Sequence, residues 1–558
     1  MKKVYTFIAL FCLFIILVAC ETKTLESTSK STNTTLASEN NHSSLTKPIT
    51  VTTTKKTVLE TIPNTKPIEV SVKGGCESVE TKNGWIPVWC DEFEIDGSPK
   101  STNWIFETGN GAGGWGNNEL QYYTSRLENA KVEDGKLIIT AIKESYNGYK
   151  YTSARMTTSG KFNFKYGKIE MKAKLPSTGG TWPAFWLMPQ NSVYGGWPKS
   201  GEIDIMEATG NNLNGIMGTI HTGKYYWANN NQIGSGYKYL NNTASTAFHT
   251  YAIEWNEKGI SWYLDDHMYY TTEGNANLKG ENNLDVDPYM VWPFDQNFFV
   301  ILNLAIGGNM GGNVSSAFTT DTYEVDYVRV FQKDYVTGDT ETPSAPTNLK
   351  AIGTNLSSIY AGWNHSTDDK NVRGYNVYLD GKYYSFTSLN YAKIKDLDYN
   401  KEYMIGIEAI DYKGNVSPRV EKTMSTKDIP LALGKIEAED YFVASGIQVE
   451  TCSDQGGGKN VAYINSGDYL SFKLKVEEAG VYAIKYRVAS QANGGSIQLL
   501  INGVSQGQPY TFGPTGGWQT WYTYTAAYVP LEEGIITLRL NMKDSDFNIN
   551  YILIEKIE

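Results

Sequence analysis

Three carboxylates, Glu202, Asp204 and Glu207, fall close together in Gly201–Gly210, GEIDIMEATG. Side chains on a strand alternate between faces. Glu202 and Asp204 then share one face, and Ile203 and Ile205 share the other. Simple alternation sends Glu207 to the isoleucine side. A β-bulge at Met206 adds one residue and returns Glu207 to the face of the other two acids. Like charges on one face are costly unless one of them holds a proton. Acid–base chemistry on a glycosidic bond wants that arrangement: one carboxylate ionised beside the sugar, a second protonated for the leaving oxygen. The bland alternative is an exposed strand with acids on its wet face. The flanks argue against it. Trp182 and Trp186 in TWPAFWLMP and Trp197 in GGWPKSGE lie upstream, and His221 in GTIHTG follows. Rings beside clustered acids suit a sugar, whose apolar face stacks while its hydroxyls take hydrogen bonds.

The elements that must hold these residues read as strands. Leu137–Glu144, Lys168–Leu175, Ile260–Asp266 and Phe298–Ile306 alternate or run apolar, with Gly, Asn and Asp turns between them. Many short strands with turn signals predict an all-β sandwich. Composition agrees: aromatics are 13%, charged residues 20%, with 39 Tyr and 53 Gly. At 558 residues the chain holds several domains. The formal net charge of -11 argues against a nucleic-acid partner.

Residues 84–333 carry a dense set of motifs: WGNNELQYYT (Trp115–Thr124), TSARMTTSGKF (Thr152–Phe162), YGKIEMKAKLP (Tyr166–Pro176), WPAFWLMP, GEIDIME, FHTYAIEW (Phe248–Trp255), LNLAIGGNMGG (Leu302–Gly312) and VDYVRVF (Val325–Phe331). Together they resemble glycoside hydrolase family 16, most of all its bacterial laminarinases. The resemblance implies a β-jelly roll whose concave sheet forms a sugar-binding cleft. It implies Glu202 as nucleophile and Glu207 as acid/base in a retaining, double-displacement hydrolysis, with Asp204 tuning Glu202. Trp182, Trp186 and Trp197 are implied to line the minus subsites, with one of the three serving the core instead. His221 stands near the acid/base, and Asn118 and Arg155 contact sugar hydroxyls. No cofactor takes part in the chemistry. A structural calcium is implied on the convex side at Glu92, Gly135 and Asp326. A bulged EIDIME points to β-1,3-glucan, with mixed β-1,3-1,4 cleavage as an extension. The alternatives are a galactan hydrolase of the same family and a non-catalytic glucan-binding protein.

The flanking segments extend this picture. Lys2 and Lys3 precede an apolar run from Val4 to Ala19 that ends in LVAC, so residues 1–20 read as a signal peptide. The ending resembles a bacterial lipobox, which implies export and membrane anchoring through lipidated Cys20. Residues 21–83, rich in Ser, Thr, Asn and Lys, read as a flexible tether. Cys76 and Cys90 are left either as a pair or as two free thiols, and Cys452 as a single one. Residues 342–427 carry Trp363, Leu397 and Tyr403 in a layout that resembles a fibronectin type III domain, an immunoglobulin-like β-sandwich. Residues 433–558, with IEAEDY, NVAYINSGDYLSF and TGGWQTWYTYT, resemble a family 6 carbohydrate-binding module, a second, smaller β-jelly roll. That resemblance implies a loop-end sugar site at Tyr463, Asn548 and one of Trp518 and Trp521, which strand alternation would put on opposite faces. It also implies a calcium position at Glu437 and Glu439. The chain is expected to act as a monomer on β-glucan.

Overall fold

The computed structural model describes residues 67, 70, 75–240 and 243–557. The signal peptide, Cys20 and most of the 21–83 tether lie outside the described residues. The described chain is nearly all β. Among the described residues no helix is long and apolar enough to cross a membrane.

The first domain is a jelly roll of a ten-stranded and an eight-stranded sheet. Its outer sheet contains the strand Lys136–Ile142, in which Leu137, Ile139 and Ala141 are buried and the residues between them are half-exposed. That alternation is what a sheet with one wet face requires. The inner sheet contains Thr181–Pro189, Glu202–Thr209, Asn212–His221 and Phe298–Ile306. Phe298–Ile306 is buried at eight of its nine positions, because one face packs on the core and the other underlies the cleft. Leu137, Ile139, Ile203, Ile205, Met206 and Leu302 meet between the sheets. Burial of each such side chain stabilises the fold by about 1.5–3 kcal/mol. Cys76 and Cys90 form a disulfide that ties the start of the domain to the strand Trp85–Asp91.

The second domain pairs a three-stranded sheet with a four-stranded one. Tyr403 packs in its core, and its hydroxyl accepts the backbone N–H of Asp398 at 2.7 Å. Tyr360, Leu389 and Tyr391 of this domain join the hydrophobic cluster of the first, and Lys395 pairs with Asp287 at 2.9 Å. The third domain is a sandwich of two six-stranded sheets with its own core. Cys452 is a buried free thiol within it.

Candidate active site

The site is built on the strand Glu202–Thr209. Against Thr181–Pro189, Asp204 pairs with Trp186 and Met206 with Phe185, so Ile205 has no partner. Against Asn212–His221, Asp204 pairs with Thr219 and Glu207 with Met217. Ile205 and Met206 together therefore oppose Gly218, so Met206 lies in the bulge as expected, with Ile205 the residue left unpaired toward Thr181–Pro189. Ile205 and Met206 both point into the core. That restores the phase, and Glu202, Asp204 and Glu207 all line one cleft of about 600 Å³. At the bulge the indole N–H of Trp262, on the opposite sheet, reaches the carbonyl of Asp204 at 2.9 Å. Gly218 makes room for that ring: a Cβ there would lie 2.3 Å from it.

Each acid has a different environment. The Trp197 indole donates to Glu202 Oε2 at 2.6 Å. The Trp182 indole donates to Glu207 Oε1 at 3.0 Å. Asp204 is 3% exposed. Burial, then the charge of Glu202 and a hydrogen bond with it, push its carboxyl well above the usual range. Burial, then Asp204, push Glu207 up to about 8. Glu207 is thereby favoured in its protonated form near neutral pH and Asp204 is pushed the same way, which lowers the like-charge cost. His221 stands opposite Glu202 on the neighbouring strand, with Nε2 3.4 Å from Asp204 Oδ2 and 3.9 Å from Glu202 Oε1. It also acts on Glu207, whose carboxyl its charge pulls back down. Ligand atoms of Glu202, Asp204 and His221 lie within 4.8 Å of one another, so this set could hold a metal ion.

All three expected tryptophans line the cleft, and none is given over to the core. Trp182 is nearly buried but faces Glu207, and Trp197 is 41% exposed. The Trp186 indole donates to Asn303 Oδ1 at 2.7 Å. Arg155 lies between the rings of Trp115 and Trp186, 4.5 and 4.8 Å from their centroids, and pairs with Glu107. Asn118 bonds Asn309 at 2.8 Å on the rim, while its neighbour Asn117 is the one that lines the cleft. The sequence reading missed Trp115, Glu119, Asn303, Trp227 and Tyr237, which also line it. Trp115 and Glu119 lie within a quoted motif; Trp227 and Tyr237 sit in a loop-rich stretch with no periodic signal.

In the third domain Tyr463, Trp518 and Asn548 line one pocket, together with Glu450. Trp521 does not: it is 8% exposed and packs on Cys452 and Ala489. One tryptophan thus faces the pocket and the other the core, as expected, although both lie ahead of the strand, which begins at Tyr522. Glu450 Oε1 accepts the amide groups of Asn460, Gln519 and Asn548 at 3.2, 2.9 and 3.0 Å.

At the convex-side calcium positions both carboxylates are engaged by cations of the chain itself. Glu92 accepts two N–H groups of Arg329, at 2.8 and 2.7 Å, and Asp326 pairs with Lys172 at 2.7 Å. Both carboxylates are neutralised by the chain's own cations, leaving only the turn at Gly135. In the third domain Glu437 pairs with Lys435, whereas Glu439 keeps a buried Oε2 without a partner, a donor that suits a hard cation.

Comparison with known proteins agrees with this geometry. Residues 117–329 match the model for glycosyl hydrolases family 16, and residues 437–556 match that for carbohydrate binding module family 6. Residues 2–202 also match the model for the beta-glucan synthesis-associated protein SKN1/KRE6/Sbg1. The clotting factor G alpha subunit of Tachypleus tridentatus is 33% identical over 563 residues, spanning 88% of this chain and 78% of that protein. A beta-glucanase of Rhodothermus marinus is 45% identical, over 44% of this chain and 85% of that protein. A glucan endo-1,3-beta-glucosidase of Cryptopygus antarcticus is 44% identical, over 44% of this chain and 91% of that protein. The chain belongs to glycosyl hydrolases family 16 and carries a family 6 carbohydrate-binding module.

Proposed function

We propose that the chain is an exported, lipid-anchored, retaining endo-β-1,3-glucanase of the laminarinase type. The observation that carries this reading is the bulged strand. It sets Glu202 and Glu207 on one face of an aromatic cleft, each under its own indole donor. Trp197 holds Glu202 Oε2 and leaves Oε1 to attack the anomeric carbon. Glu207 gives its proton to the glycosidic oxygen, and the leaving sugar departs. Glu207, now a carboxylate, takes a proton from water as that water attacks the same carbon and releases Glu202. Retention needs carboxyl groups about 5–5.5 Å apart. Asp204, pushed toward its neutral form by burial, hydrogen-bonds Glu202 and limits its charge build-up. Cys20 is the proposed anchor, and the second domain, with its Tyr403 corner, a fibronectin type III domain that links hydrolase to module.

A second reading, a glucan-binding protein without turnover, is favoured by one observation. A relative that aligns with 88% of the chain is named a clotting factor subunit, not a hydrolase. Protein lacking residues 1–20, incubated with laminarin, lichenan, agarose and carrageenan, distinguishes the two. A ladder of oligosaccharides from laminarin is expected. Cutting of a galactan alone overturns the substrate, and binding of laminarin without cutting supports the second reading.

A further inference from the structure

Away from the cleft, four aspartates from three segments meet where the chain leaves the first domain and enters the second. Asp339 follows the strand Thr320–Lys333, Asp368 and Asp369 precede Val372–Leu379, and Asp411 ends Glu402–Asp411. Carboxylate oxygens of Asp339, Asp368 and Asp369 lie within 4.8 Å of one another. Burial, and then the charge of Asp411, push the carboxyls of both Asp339 and Asp368 up, which places Asp411 beside them.

Asp339 is 3% exposed and Asp411 fully buried. Three of the acids share one arrangement. Backbone N–H groups hold Oδ1: that of Glu341 on Asp339 at 3.3 Å, those of Lys370 and Asn371 on Asp368 at 2.9 and 3.0 Å, and those of Gly414 and Asn415 on Asp411 at 2.7 and 2.8 Å. Oδ2 of each is buried without a hydrogen-bond partner. Among the described residues none of the four carboxylates has a salt bridge. Lys413 donates instead to the backbone carbonyl of Asp339, at 2.6 Å. A buried acid oxygen without a donor is costly, and several facing one another add repulsion. A bound cation removes both costs at once.

We propose that Asp339, Asp368, Asp369 and Asp411 form a binding site for a divalent cation of the calcium class. The donors are all oxygen, with no histidine or thiol, which selects a hard ion over zinc. They come from two loops and the end of a strand. Calcium accepts six to eight oxygens in flexible geometry, whereas magnesium demands a tight octahedron and keeps its waters. The ion joins the connection at Asp339 to a loop and a strand end of the second domain. It thereby stiffens the joint through which the hydrolase carries its binding module.

Calorimetric titration of calcium chloride into the chelator-treated full chain tests this, against the double variant Asp339→Asn/Asp411→Asn. The wild type should take up one more calcium per chain than the variant, and calcium should raise its Tm by several degrees more. Glucan hydrolysis should be equal in the two. Other carboxylate sets on the chain are untouched by these substitutions, so the difference isolates this one. Equal stoichiometry, or no uptake by the wild type at millimolar calcium, overturns the proposal. Asp369 is exposed, so Asp369→Asn tests the site without burden on folding: it should weaken calcium binding about tenfold, and unchanged affinity would likewise overturn the site.

Discussion

The cleft of the first domain and the loop-end pocket of the third both set carboxylates among aromatic rings, yet they treat the acid in opposite ways. In the cleft, Glu202, Asp204 and Glu207 have one another as neighbours, and burial pushes the carboxyls of Asp204 and Glu207 up. In the pocket, Glu450 has three amide donors on a single oxygen. A carboxylate surrounded by acids can give and take a proton. One saturated by amides is an anchor: it aims Asn548 and Gln519 at the pocket where Tyr463 and Trp518 offer their rings. Similar residue types thus make a reactive site in one domain and a gripping site in the other.

The largest test of that contrast is Glu202→Gln. It should lower kcat on laminarin on the order of 10⁴-fold or more, with Tm and binding to insoluble glucan retained. Full activity would remove the chemical half of the comparison. Trp518→Ala sharpens the other half. Binding to insoluble glucan should weaken about tenfold, a typical effect of one stacking ring, while hydrolysis of soluble oligosaccharide is unchanged. Equal loss of both would mean that the pocket is structural.

The smallest effect concerns the proton on Glu207. Folded Glu207 titrates near 8, and its ordinary value is 4.5. The unfolded chain therefore releases this proton first, and folding becomes less favourable as pH rises from 4.5 to 8. Glu207→Gln removes that loss. Its Tm, relative to wild type, should rise by several degrees across this interval and level off above it. A constant difference would show that Glu207 is not held protonated.

Much of this was legible in the sequence, for identifiable reasons. Strand period and turn residues announced an all-β chain, which the sheets bear out. The bulge could be inferred because Glu207 sits out of phase with Glu202, although phase alone could not separate Ile205 from Met206. What escaped was long-range or turn-bound. The grip of Trp262 on the Asp204 carbonyl, and the space Gly218 leaves for it, join strands of opposite sheets and leave no local pattern. Which of Trp518 and Trp521 faces the pocket could not be read, because both lie before the strand that begins at Tyr522 and no strand phase orders them. Asp339, Asp368 and Asp411 are far apart in the chain, two in stretches that read as ordinary polar loops and one at the end of a strand.

The central claim is that Glu202 forms a covalent bond to the sugar while Glu207 supplies the proton. A 2-deoxy-2-fluoro laminaribiosyl fluoride slows release of such an intermediate enough to trap it. Peptide mass spectrometry after incubation should then find one disaccharide on the peptide that contains Glu202, at that residue. A label on Glu207, or no label from protein that hydrolyses laminarin, would contradict the account.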